Sequence, residues 1–221
     1  MPSSRNLASI TGGRVAQGGR TILREVGLEL AAGSLTVVTG SNGSGKSTLL
    51  AALAGLLPLE EGELRLGRNV RRAYVPQRSE ASDSLPLTVA DVVGIGRWFR
   101  RPFRGAAGHR HEDRSVTAQS IAAVGLAGLE RRSLAELSGG QRQRAFLAQG
   151  LAQRADLLLL DEPESGLDAD GITLLSDCIA GERARGSAVV LVTHESRTLG
   201  ATQLVRIHGG RIDIGSSSYF H

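Results

Sequence analysis

The rhythm of apolar and polar positions changes three times along the chain. Up to about residue 34 it reads as short strands broken by turns, punctuated by Gly12-Gly13, Gly18-Gly19 and Ala31-Ala32-Gly33. At Leu35 it becomes strand, glycine-rich turn and helix: an apolar run from Leu35 to Thr39, a loop, then a helix from Ser47 to about Leu57. Residues 86 to 153 read as mostly helical, and Thr88-Val-Ala-Asp91 sets a capping hydroxyl three residues before an acid. Two further β-type runs follow, Leu157 to Asp161 and Ala188 to Thr193. Apolar strands alternating with helices predict an α/β fold whose mostly parallel sheet is covered on both faces. There is no internal repeat.

Composition narrows this little. A chain of 221 residues, 41% hydrophobic, suits one soluble domain with room for an inserted lobe. No apolar run approaches the roughly 18 residues needed to cross a bilayer. The start, Met1-Pro2-Ser3-Ser4-Arg5, lacks the apolar stretch of a secretory signal, so the expected compartment is the cytoplasm. Cys178 is the only cysteine, which excludes an intrachain disulfide and reads as a small core residue. The net charge of +4 suits nucleic acid or anionic lipid headgroups and is too small to decide between them. Among the basic residues Lys46 is the only lysine. A chain that uses arginine everywhere else keeps one ammonium, and the two are not interchangeable where a compact point charge is needed.

The stretch from Arg97-Trp98-Phe99 through His109-Arg110-His111 is basic and aromatic. It reads either as a solvated loop between helices or as a docking surface for a membrane partner. Two histidines without a third ligand are weak grounds for a metal sensor.

The chemistry concentrates elsewhere. Gly40-Ser41-Asn42-Gly43-Ser44-Gly45-Lys46-Ser47, followed by Thr48, matches the phosphate-loop pattern and stands between a strand and a helix, the context such a loop requires. Its glycines let backbone N–H groups turn inward around a phosphate, and the helix start adds its dipole. Lys46 is expected on the β- and γ-phosphates of ATP, and the Ser47 hydroxyl on Mg²⁺. The run Leu157 to Asp161 brings Asp161 out at the carboxyl edge of the sheet, where it suits Mg²⁺. Glu162, one residue on, is placed to act as general base toward the attacking water.

Phosphate loops serve many enzymes, so the deciding element is Leu137-Ser138-Gly139-Gly140-Gln141, which opens a helix running to about Gln153. Adjacent glycines at a helix start offer a second anion cradle. One protomer needs only one cradle per nucleotide, so this one is expected to serve the ATP of another copy.

At these residues the chain resembles the ABC ATPase family, over nearly its whole length. The resemblance implies a P-loop NTPase (RecA-like) core with a mostly parallel sheet, an N-terminal antiparallel β subdomain and an inserted helical subdomain. The expected division is a single ABC ATPase domain over 1–221, with 1–85 and 154–221 as core and 86–153 as the helical lobe. It also implies a head-to-tail dimer sandwiching two ATP molecules between one copy's phosphate loop and Ser138, Gly139, Gly140 and Gln141 of the other. Gln77, in Tyr74-Val-Pro-Gln77, resembles the glutamine that senses the γ-phosphate and joins Ser47 and Asp161 around Mg²⁺. Ser165-Gly166-Leu167-Asp168 resembles the loop that communicates across the dimer, and His194 the histidine that contacts the γ-phosphate.

Within the family, the segment from Tyr74 to Trp98 looks like the ATPases of bacterial zinc and manganese importers, carried by its Pro-Leu-Thr-Val and Gly-Arg-Trp elements. That likeness implies a separate membrane permease, a solute-binding protein beyond it, a peripheral position on the inner face of the membrane and no nucleic-acid partner. The rival readings are a soluble ABC protein acting on nucleic acid, translation or cluster assembly, and a phosphate-loop kinase. The single ABC unit and the importer-like segment stand against the first, the signature motif against the second. Mild departures from common family forms are Glu164 and Ser165, and Glu195 after His194. The larger one is Gln17, which by its spacing to the phosphate loop stands where an aromatic residue stacks on adenine. The tail Ser216 to His221 is expected to fray.

Overall fold

A computed structural model of the chain describes residues 5–77, 86–98, 109–193 and 200–216, without the side chains of 109, 110 and 216. Expectations for His194, Glu195 and the tail beyond 216 fall outside the described residues, as do residues 78–85 of the importer-like segment and 99–108 of the basic stretch. The chain divides into two units, one comprising 1–74, 155–162 and 181–221, the other 75–154 and 163–180.

The first unit opens with β1 (Asn6–Gln17) and β2 (Arg20–Ala31), an antiparallel hairpin. Its turn, Gly18-Gly19, has positive φ at both residues (59° and 76°), as the favoured two-residue hairpin turn demands. Gly12-Gly13 does not break the strand as the sequence pattern implies. β1 runs through it by a register shift between Ile10 and Gly13, giving one long bent strand where two short ones were expected. β4 (Glu61–Leu66) pairs antiparallel with the other edge of β1, completing a three-stranded sheet ordered β2-β1-β4.

The larger sheet has six strands, ordered β5-β6-β7-β3-β8-β9. They are β3 (Leu35–Gly40), β5 (Arg72–Val75), β6 (Leu157–Asp161), β7 (Ala188–Val192), β8 (Gln203–His208) and β9 (Arg211–Ser216). β3 runs parallel to β7 and β8, β6 runs parallel to β7, and β9 closes the edge antiparallel to β8. All five residues of β6 and of β7 are buried, which accounts for the apolar runs Leu157 to Leu160 and Ala188 to Val192. This is the α/β phosphate-loop core, with its antiparallel β subdomain, expected from the sequence.

Between the two sheets lies α1 (Lys46–Ala54). Leu49, Leu50 and Leu53 from this helix join Leu7, Ile10 and Leu23 of the small sheet and Leu157, Val190 and Val205 of the large one in a single core. The helix stops three residues short of the expected Leu57, because Gly55 adopts the left-handed conformation (φ 77°) and its N–H returns to the last turn. Arg72 donates to the Leu53 carbonyl of the last turn at 3.1 Å. Burial of α1 on both sides fixes the loop that precedes it.

The second unit contains α2 (Val89–Trp98), α3 (His109–Ala123), α4 (Gly139–Ala152) and most of α5 (Ala169–Ala184). The capping box read from the sequence forms at α2: Asp91 accepts from the Thr88 hydroxyl at 2.6 Å and its backbone N–H at 3.0 Å. Gly96 lets α2 lie against α4, since a β-carbon there would stand 2.4 Å from the Gln149 carbonyl oxygen. Next to it Arg97, 3% exposed, donates to Asp113 at 2.9 Å and to the Ala152 carbonyl at 2.9 Å, joining α2, α3 and the end of α4. The Gly-Arg pair is thus a packing device of this helical lobe. No helix among the described residues is long and apolar enough to cross a membrane.

Candidate nucleotide-binding site

The phosphate loop joins the partly exposed carboxyl end of β3 to α1. Gly40 admits no side chain, because a β-carbon there would meet the Ile207 carbonyl oxygen and the Ser44 hydroxyl, each at 2.6 Å. Gly45 has φ 108°, and a β-carbon on it would press on Leu23 at 2.8 Å, so the loop is seated directly on β2. Lys46 is 6% exposed, and its ammonium donates to the Gly40 and Ser41 carbonyls at 2.9 and 3.2 Å. The one lysine of the chain is therefore folded back over its own loop, its charge concentrated where backbone N–H groups and the start of α1 already favour an anion.

Asp161 ends β6 and is 2% exposed. The Tyr74 hydroxyl, from β5, donates to its Oδ2 at 3.2 Å. Burial pushes the Asp161 carboxyl above the usual carboxylate range; hydrogen bonds from Ser47 and Tyr74 oppose that shift, the nearby Glu162 adds to it and Lys46 reduces it. Burial, with the Asp161 charge beside it, pushes the Tyr74 phenol well above its ordinary value, so it stays a donor. The second oxygen of Asp161, Oδ1, is buried without a hydrogen-bond partner. Such an oxygen is costly unless a cation or donor meets it. With the Ser47 hydroxyl it forms an all-oxygen set that fits a hard divalent ion such as Mg²⁺.

Glu162 leaves the strand with φ 47°, a left-handed conformation that a residue with a side chain adopts at a cost of order 1–3 kcal/mol. Its N–H donates to the Val192 carbonyl at the end of β7 at 3.0 Å, holding the turn in place. Strain at this position marks a side chain whose direction is set by the backbone.

In the second unit, α4 begins with a closed capping box. The Ser138 hydroxyl accepts from the Gln141 N–H at 3.3 Å, and the Gln141 side-chain oxygen accepts from the Ser138 N–H at 3.1 Å. Around Gly139 no atom lies within 4 Å of a would-be β-carbon, so its face is open. Gly140 differs: it is packed on the turn at Gly166. The Asp168 carboxylate caps α5 by accepting from the Gly171 N–H at 2.8 Å.

The first unit thus brings together Lys46, Ser47, Asp161 and Tyr74, and the second collects the signature residues with the Ser165–Asp168 turn. Gln77 stands exposed two residues past β5. Gln17 is exposed at the end of β1, paired with Arg20 across the hairpin turn. Sequence reasoning gave Tyr74 no role. Its signal was a polar-tipped aromatic near the carboxyl end of a strand that would lie beside the strand carrying Asp161.

The ABC transporter family model matches residues 23–165. The manganese transport system ATP-binding protein MntB of Listeria monocytogenes is 34% identical over 87% of this chain and 82% of its own length. The hemin import ATP-binding protein HmuV of Streptomyces coelicolor is 42% identical over 95% of this chain and 77% of its own. The zinc transport system ATP-binding protein TroB of Treponema pallidum is 39% identical over 81% and 69%. An inward-facing structure of a metal-chelate type ABC transporter superposes with a TM-score of 0.84 at 26% identity, covering 97% of this chain and 85% of that one. A bacterial ABC transporter cassette solved as a dimer shares the fold, with a TM-score of 0.81 at 22% identity over 95% of this chain and 98% of that one. On the matched family model, the relatives and the phosphate loop seated on α1, the chain belongs to the ABC transporter family and is the ATP-binding, ATP-hydrolysing subunit of such a transporter.

Proposed function

We propose that this subunit powers import of a transition-metal ion of the manganese or zinc type through a separate permease, which a solute-binding protein supplies from the far side of the membrane. The observation that carries this is the identity of 34–39% to manganese and zinc transport ATPases. Heme import is the second reading, favoured by the 42% identity to a hemin import subunit. The motor does not touch the cargo, so the partner permease discriminates. Purifying the chain with its permease from the native membrane, and measuring ATPase stimulation and uptake with Mn²⁺, Zn²⁺ and hemin, decides between them. Stimulation by none of the three, with a permease of another solute class co-purifying, would sink both.

In the proposed mechanism two copies close head to tail on ATP. Lys46 holds the β- and γ-phosphates, with backbone N–H groups from Gly40 through Thr48 around them. Ser47, Asp161 and Gln77 would hold Mg²⁺, which supplies charge neutralisation on the phosphate oxygens when bound. Glu162 accepts a proton from the attacking water, and His194 contacts the γ-phosphate. Ser138, Gly139, Gly140 and Gln141 reach the nucleotide of the other copy, and the Asp168 turn carries its state across the dimer. The helical lobe, residues 86–153, is assigned to the permease on the inner membrane face. Support comes from Trp98, a large apolar side chain 62% exposed at the end of α2.

A further inference from the structure

The two oxygens of the buried Asp161 carboxylate differ. Oδ2 accepts from the Tyr74 hydroxyl at 3.2 Å, while Oδ1 is buried and lacks any hydrogen-bond partner. Tyr74 comes from β5, the sheet neighbour of β6, and its ring packs partly buried against the main core. A carboxylate at a strand end is free to turn about its last bond unless something holds its plane. The Tyr74 hydroxyl on Oδ2 does so here, beside the contact from Ser47.

We propose that Tyr74 is a positioning residue: its hydroxyl fixes Asp161 so that Oδ1, and not Oδ2, is presented with the Ser47 hydroxyl to the Mg²⁺ of the bound nucleotide. The inference rests on the assignment of Asp161 to that ion. Phenylalanine would fill the same space against the core, so packing accounts for the ring and leaves the hydroxyl unexplained. Partners that orient a metal-binding side chain typically govern metal affinity by 10–100-fold when removed.

The test is Tyr74→Phe in the full chain, with Mn²⁺ as a paramagnetic substitute for Mg²⁺. Mn²⁺ binding is titrated by electron paramagnetic resonance with ATPγS present, and thermal melting is recorded without metal. The expected result is a Mn²⁺ affinity about tenfold weaker, in a protein that still melts cooperatively. The Mg²⁺ concentration for half-maximal hydrolysis rises by a similar factor, and the rate at saturating Mg²⁺ is largely recovered. Asp161→Asn serves as the reference. If Asp161→Asn weakens Mn²⁺ binding but the Tyr74→Phe titration superimposes on the parent, the positioning role is overturned alone. If Asp161→Asn binds Mn²⁺ like the parent, the metal assignment falls, and the role of Tyr74 with it.

Discussion

A β-carbon added to Gly140 would stand 2.9 Å from the carbonyl oxygen of Gly166, so the second glycine of the signature motif is packed on the turn that precedes α5. The neighbouring Gly139 has no such neighbour within 4 Å. The two glycines therefore stand in different surroundings, one with an open face and the other in a close backbone contact. Gly166 itself has φ 79° and belongs to the turn closed by the Leu167 N–H on the Glu164 carbonyl at 3.0 Å, so neither side of the contact is a flexible side chain that could move away.

Gly140→Ala should accordingly displace the Ser165–Asp168 turn, at a cost of about 1–3 kcal/mol for an overpacked contact. Binding of ATP to the phosphate loop should survive, while ATP-dependent dimerisation falls about tenfold, since about 1.4 kcal/mol is a factor of ten. Gly139→Ala should fold without this penalty. Sedimentation of both variants in a Glu162→Gln background checks the contrast. Equal dimer fractions would show that the packing of Gly140 on Gly166 does not matter to assembly.

Glu162→Gln and Lys46→Ala should separate chemistry from binding. Glutamine keeps the shape of the residue and its left-handed backbone but cannot accept a proton, so hydrolysis should slow by about 10²–10⁴-fold with ATP affinity retained and a dimer trapped. Lys46→Ala removes the ammonium that bonds to the Gly40 and Ser41 carbonyls, which also loosens the loop. It should lose most ATP binding as well as turnover. Equilibrium binding of a fluorescent ATP analogue beside single-turnover rates reads both. Wild-type turnover in Glu162→Gln would remove it from the role of base.

Much of this was legible because local signals and global fold agree. The phosphate loop announces itself through its glycines, of which Gly40 and Gly45 stand where any β-carbon would collide, and Asp161 through a strand buried on both faces. The Thr88–Asp91 box was readable because capping is a matter of three residues. What the sequence hid is relational. Gly12-Gly13 looks like a turn and is a bulge, because pairing on both edges of β1 carries the strand through it. The end of α1 depends on which glycine turns left-handed, and Gly55 does so before the apolar pattern stops. Arg97 opens a basic stretch that reads either as a solvated loop or as a docking surface, yet it is buried, because Asp113 and the end of α4 come from far along the chain to meet it. Tyr74 was missed for the same reason: its partner is 87 residues away.

Arg97 also yields a stability prediction. Its guanidinium is almost fully buried and pairs with Asp113, whose side chain is 13% exposed, and with the Ala152 carbonyl. Removing the cation takes a charged partner from Asp113 and a donor from the helix-end Ala152 carbonyl in a largely buried place. Breaking one side of a buried pair typically costs about 3–5 kcal/mol. Arg97→Met, which keeps the stem, should lower the unfolding free energy by roughly this amount. The double change Arg97→Met with Asp113→Leu should recover part of it. Urea unfolding followed by circular dichroism measures both, and a single variant as stable as the parent would show that the pair contributes little.

The most exposed prediction concerns Gln17. It ends β1 at an exposed hairpin, and β2, leaving that hairpin, packs Ile22 and Leu23 against Gly45 of the phosphate loop. The hairpin is thus anchored to the loop, and a side chain at 17 has no core to disturb. Glutamine can lie against a base but offers no π-face, whereas an aromatic stack is worth roughly 1–3 kcal/mol per base. This subunit should therefore bind ATP weakly and distinguish ATP from GTP poorly, because phosphate contacts common to both dominate. Gln17→Tyr should tighten ATP binding several-fold and leave the maximal hydrolysis rate nearly unchanged, since the ring sits far from the bond that breaks. Fluorescence titrations of both forms with ATP and GTP decide it: identical affinities for parent and variant would mean that another residue already covers the adenine.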